Sequence, residues 1–185
     1  MSSIPPSPGT TGTGSPGVQL CTFRVSGEDF AVDIMRVREI IPPEPLTPVP
    51  EAPAHIAGVI RFRGEVVPVV DLRRRLGLPA GEPSRRARYL LVKVAGRLLG
   101  LMVDEVCEVL RLSRDELRPA PAAIDSKGTR LFLGVCEGER GAVRGGRRGG
   151  TGRLRLLLNV KALLDPESGD GVETARALLE SARNP

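Results

Sequence analysis

Residues 56–72, IAGVIRFRGEVVPVVDL, constrain this chain more than any other stretch. β-branched residues crowd both sides of Arg63-Gly64, a composition that fits a pleated, half-buried surface. Gly64 is free to take positive φ, so the two runs read as strands joined by a tight turn. Arg63 is then displayed at a bend, where its planar, permanently charged fork suits a carboxylate. A plain surface arginine is the alternative. Pro68 lacks a ladder donor and points to an edge strand or a bulge.

The rest of the 185 residues extends this reading. Hydrophobic residues are 41% of the chain and aromatics only 3%, so the core must rest mainly on Val, Leu and Ile, which favours strands. No apolar run approaches the roughly 20 residues of a membrane span, and no basic-then-apolar leader opens the chain. Cys21, Cys107 and Cys136 are widely spaced, and His55 is the only histidine. That pattern predicts buried, reduced thiols in a cytosolic protein and no metal site.

The net charge of +5 is local. Residues 139–153 hold Arg140, Arg144, Arg147, Arg148 and Arg153 against Glu139, leaving one net positive charge elsewhere. This Gly/Arg-rich segment reads as a loop insertion in a late hairpin. A nucleic-acid-binding module is the alternative, but no aromatic residue interleaves the arginines to stack on bases.

Residues 1–17 are mostly Ser, Thr, Gly and Pro, without charge and with almost no core formers, and read as a disordered tail. A strand is expected from about 18 to 25, a turn at 26–29, and a returning strand through Phe30, Val32 and Ile34. Residues 37–41 read as a short helical turn or an extended continuation. Prolines between 42 and 53 then make a rigid connector. Residues 72–78 suggest a short helix ending at Gly77, with 79–87 as the subdomain boundary. A second β series follows: 89–94 with 98–103, then 106–112, then 131–136 with 154–160. Residues 166–185 read as a helix and tail, with Val172, Ala175, Leu178, Leu179 and Ala182 at helical spacing. Short strands at near-regular spacing predict an all-β barrel architecture.

Enzyme motifs are missing: there is no GxSxG, HExxH or P-loop lysine. Asp71 and Asp104 stand at strand ends, where aspartates cap turns and helix starts. The reading is a protein with no catalytic residue and no cofactor.

The blocks VREI, TPVPEAP, IAGVIRFRGEVVPVVDLRRRLGL, GLMVDEVCEVLRL and LRPAP, in that order, resemble the CheW-like adaptor family over residues 18–165. The resemblance implies two packed five-stranded SH3-like β-barrels, the first at about 18–80 and the second at about 85–160. It implies a non-catalytic, cytoplasmic scaffold recruited to membrane-associated receptor arrays. Its partners would be the regulatory domain of a CheA-type histidine kinase and the cytoplasmic tip of a chemoreceptor, with no nucleic acid and no membrane insertion. A paralogue that binds the kinase but no receptor is the alternative.

By the same resemblance, Glu39, Arg63 and Gly64 belong to the kinase–receptor junction, with Glu39 and Arg63 paired. Val37, Gly58, Gly100, Val106 and Val109 belong to a receptor groove, and Phe30, Val32 and Ile34 to a kinase-facing strand. The chain departs from the family pattern where Arg61-Phe62-Arg63-Gly64 replaces a neutral-leading turn.

Overall fold

The computed structural model describes residues 17–82, 84–119, 131–138 and 153–164. Residues 1–16 of the predicted tail 1–17, residues 139–152 of the Gly/Arg segment 139–153 and the C-terminal helix over 166–185 lie outside the described residues.

Three hairpins set the local structure. Strand β1 (Val18–Val25) turns into β2 (Glu28–Asp33), β4 (Ile56–Phe62) into β5 (Glu65–Asp71), and β6 (Arg88–Val94) into β7 (Arg97–Val103). Each turn is a residue followed by glycine, both at positive φ: Ser26-Gly27, Arg63-Gly64 and Ala95-Gly96. Two consecutive positive φ values give the turn whose twist matches the flanking strands.

The remaining strands are β3 (Val37–Ile41), β8 (Glu105–Leu112), β9 (Leu117–Pro119), β10 (Phe132–Gly138) and β11 (Arg153–Leu158). A 3-10 turn, Ile34–Arg36, joins β2 to β3. The Asp33 carboxylate starts it by accepting from the Met35 N–H at 2.9 Å, so Ile34 sits on this turn and not on a returning strand. Residues 37–41 take the extended option. The one α-helix among the described residues, α1 (Leu72–Leu76), begins where the Asp71 carboxylate accepts from the Arg73 and Arg74 amides and ends at Gly77, φ +60°. Both features are ordinary helix punctuation.

The strands form two sheets, in the orders β8-β1-β2-β11-β10-β9 and β3-β6-β7-β5-β4. This corrects the sequence reading in two respects. The first sheet carries a sixth, three-residue strand. The barrels are also not consecutive halves of the chain: β1 and β2 join strands from beyond residue 104, and β6 and β7 join strands from before residue 72. The exchange happens at Asp104, the only residue between β7 of one sheet and β8 of the other. Its carboxylate accepts from the Ser26 N–H at 2.7 Å and pairs with Arg73 at 2.6 Å, tying the crossover to both sheets.

Each sheet curls so that the two ends of its strand order approach each other. In the first, β8 and β9 are opposite ends of the strand order, yet only residues 113–116 separate them. In the second, the segment after β3 meets β4 through a mutual Thr47–Val59 bridge with both N–H···O distances at 2.9 Å. Pro68 fits this arrangement: β7 pairs with β5 only from Val69 onward, so the Pro68 half of the strand is edge-like although β5 lies inside the sheet.

Three apolar clusters result. Leu20, Ala31, Leu110, Leu112, Cys136 and Leu157 fill the first barrel. Ile41, Ile60, Val67, Val69, Tyr89 and Leu91 fill the second. The largest lies between them and includes Cys21, Phe23, Phe30, Val32, Val70, Leu90, Val92 and Leu101. Phe23, Phe30 and Phe132 stack there with centroids 5.9 and 6.4 Å apart. Such pairs add about 0.5–1.5 kcal/mol beyond the area they bury.

Candidate functional site

Glu39 and Arg63 come together as the resemblance implied. Arg63 Nη2 lies 2.7 Å from Glu39 Oε2, with side chains 66% and 34% exposed. The pair is informative because β3 and β4 are opposite ends of the second sheet, so it fastens the open seam of the barrel. The turn delivers the arginine: with Arg63 at φ +48° and Gly64 at φ +86°, the side chain leaves the hairpin tip and lies over the Phe62 ring, 5.0 Å from its centroid.

Gly58 works beside this seam. Its φ is +151°, and a Cβ there would stand 2.7 Å from the Thr47 carbonyl oxygen. Only glycine lets the proline-rich segment approach β4 this closely. Gly100 is tight in a softer way, since a Cβ would meet Val69 Cγ2 at 3.1 Å in the middle of the sheet.

The apolar positions depend on two β-bulges. On β8, Val109 pairs with Cys21 and Val106 with Phe23, so Cys107 and Glu108 together face the single residue Thr22. Residues three apart normally point to opposite faces of a strand. The extra residue returns Val106 and Val109 to one face, that of Cys21 and Phe23 and hence of the inter-barrel cluster. On β3 a bulge at Arg38 does the same: Val37 pairs with Val92 and Ile40 with Leu90, both in that cluster.

Val37 and Val106 pack against the inter-barrel cluster. Val109 and Ile40 face the same way but are 51% and 43% exposed, because β8 and β3 are the outer strands of their sheets among the described residues. Ile40 was missed in the sequence because its role depends on the bulge beside it. The one available signal was an apolar residue three positions after Val37, the spacing of Val106 and Val109.

Phe30 and Val32 are corrected. Both side chains are fully buried in the inter-barrel cluster, and β2 is paired on both sides by β1 and β11. Neither side chain is available to a partner. Ile34 is partly buried against the same cluster.

The expectation of three buried thiols holds for two. Burial pushes Cys21 and Cys136 up to about 11, whereas Cys107 is exposed on the β8 bulge. Its thiol is also raised, by desolvation first; Arg24 and Arg155 oppose the rise, while Glu105 and Asp29 add to it. Asp71 and Asp104 are caps and not a catalytic pair. Among the described residues no cluster of His, Cys, Asp and Glu could hold a metal ion, and no helix is long and apolar enough to cross a membrane.

Two closed barrels packed on a shared core, with half-exposed apolar residues on an outer strand of each sheet, define an interaction scaffold. The chain belongs to the CheW-like domain family, whose model matches residues 19–168. It is 45% identical over 105 residues to the chemotaxis protein CheW of Rhizobium meliloti, covering 57% of this chain and 68% of that protein. It is 29% identical over 152 residues to the chemotaxis protein CheW of Bacillus subtilis, covering 82% and 90%. Its fold matches the crystal structure of the scaffolding protein TtCheW from Thermoanaerobacter tengcongensis at a TM-score of 0.69 and 24% identity, over 83% of this chain and 96% of the other. The protein is therefore a non-catalytic coupling adaptor of chemotaxis signalling, built from two SH3-like barrels. The family does not favour the nucleic-acid-binding alternative.

Proposed function

We propose that this adaptor joins the regulatory domain of a CheA-type histidine kinase to the helical cytoplasmic tip of a chemoreceptor, working in the cytoplasm at receptor arrays. Val37, Ile40, Val106 and Val109 contact the receptor helix, shaped by Gly58 and Gly100. Glu39, Arg63 and Gly64 form the junction beside it. The observation that carries this reading is the pair of bulged outer strands, each turning two apolar side chains to the inter-barrel face and leaving one half exposed. A helix recognised through its i, i+3 and i+4 residues needs an apolar strip of this kind.

Val109→Glu tests it. A charge at this half-exposed position should leave the fold within about 0.5 kcal/mol of wild type and weaken binding to a purified receptor tip by about tenfold or more. Binding to the kinase regulatory domain should persist. A folded variant that binds the receptor tip at full affinity would place the groove elsewhere. Wild-type protein that binds kinase and no receptor tip would establish the kinase-only alternative.

A further inference from the structure

The β8 bulge leaves the backbone of Glu108 without a regular ladder partner, and one side chain supplies it. The Thr22 hydroxyl accepts from the Glu108 N–H at 3.1 Å and donates to the Glu108 carbonyl at 2.9 Å. Thr22 is 1% exposed and stands alone as a polar residue among Leu20, Cys21, Phe23 and Val25. A second grip holds the same residue. Arg155, buried in the first barrel, places Nη2 3.1 Å from Glu108 Oε1. Arg155 and Thr22 point the same way: Thr22 is paired with Ala31, and Arg155 alternates with Leu156, which is paired with Phe30. Glu108 is thus held from inside the first barrel at its amide, its carbonyl and its carboxylate.

The register shows what this hold does. If the ladder continued without a bulge from Cys21–Val109, Phe23 would face Cys107 and Val106 would move opposite Arg24, on the other face of the strand. With the bulge, Phe23 faces Val106 and Cys107 is exposed.

We propose that Thr22, with Arg155, is a positioning residue for the partner-binding surface: it fixes the β8 bulge and so puts Val106 and Val109 on one face without itself touching the partner. The inference rests on the groove reading above. It also has a readout independent of that reading. Cys107 is the one exposed cysteine of three, so its thiol reports the register.

The experiment compares Thr22→Val, Thr22→Ser and Val109→Glu in the full chain, measuring folding, maleimide labelling of Cys107 and affinity for a receptor tip. Thr22→Val keeps the shape of the side chain and removes both hydrogen bonds. Cys107 labelling should slow by about tenfold as the thiol turns inward, and receptor affinity should fall by about the same factor. Thr22→Ser should restore both. Wild-type labelling in folded Thr22→Val overturns the register mechanism. Altered labelling with wild-type affinity overturns the positioning role, provided Val109→Glu binds weakly. If Val109→Glu binds normally, the groove reading fails while labelling still decides the bulge. Should Thr22→Val not fold, hydrogen exchange in the wild type decides: a slow Glu108 amide supports the hold, and exchange at the unstructured rate overturns it.

Discussion

The two barrels solve one problem with different chemistry. Each curled sheet places a glycine at a β-bulge where another backbone approaches closely. In the second barrel this is Gly58 against Thr47, at the seam itself; in the first it is Gly134 on β10, one strand in from the edge, where a Cβ would collide with the Arg118 carbonyl on β9. They part company in their ion pairs. Arg155–Glu108 in the first barrel has an arginine only 5% exposed, whereas Arg63–Glu39 at the seam of the second is open to water. A pair with a desolvated arginine holds geometry, and its loss strands a charge. An exposed pair adds little stability, so its carboxylate and guanidinium are free to exchange each other for a partner's groups.

That contrast can be broken by substitution. Arg155→Met should cost the most, roughly 2–3 kcal/mol, since Glu108 keeps some water and escapes the ~3–5 kcal/mol of a fully buried pair. Chemical denaturation measures it, and a loss no larger than that of Arg63→Ala would erase the distinction. Gly58→Ala comes next, at about 1–3 kcal/mol, from a strained φ and the collision with Thr47. It should loosen the seam of the second barrel only, visible as faster exchange at the Thr47 and Val59 amides.

Arg63→Ala should shift stability by about 0–1 kcal/mol while weakening assembly with kinase and receptor. An early melt with normal assembly would make the exposed pair structural after all. The smallest effect concerns His55. Desolvation first, and then the nearby Arg75 charge, lower its pKa from the ordinary 6.5. The unfolded chain therefore takes up a proton more readily than the folded one. The resulting stability is complete above about 6.5 and is lost as pH falls through the lowered value. His55→Gln should flatten that slope in melts between pH 7 and 5.

What was legible in the sequence follows from the range of the interactions. Arg63-Gly64 and Ala95-Gly96 announced their hairpins because turn chemistry is confined to two residues. Asp71 and Gly77 bracketed α1 for the same reason. Sheet membership was hidden, because nothing local to β8 says that it will leave β7 and lie against β1. The burial of Phe30 and Val32 was hidden likewise: alternation assigns faces to a strand, but not whether a second barrel covers the outer face. The bulge at Cys107-Glu108 left only a broken alternation, and its anchor, Thr22, lies 86 residues away. The Glu39–Arg63 pairing came from family resemblance, since no periodicity links two charges on opposite seams of a barrel.

The crossover at Asp104 also sets an order of assembly during synthesis. The second barrel has all its strands once Val103 has been made. The hairpin of β1 and β2 is made first of all, yet its neighbours β8 and β11 are encoded as far along as Leu158. At ~5–20 residues per second the ribosome needs roughly 6–25 s to travel from β2 to the end of β11. For that interval the nascent chain carries Phe23, Phe30 and Val32 on a hairpin with no completed sheet. The finished second barrel offers the surface on which they can wait.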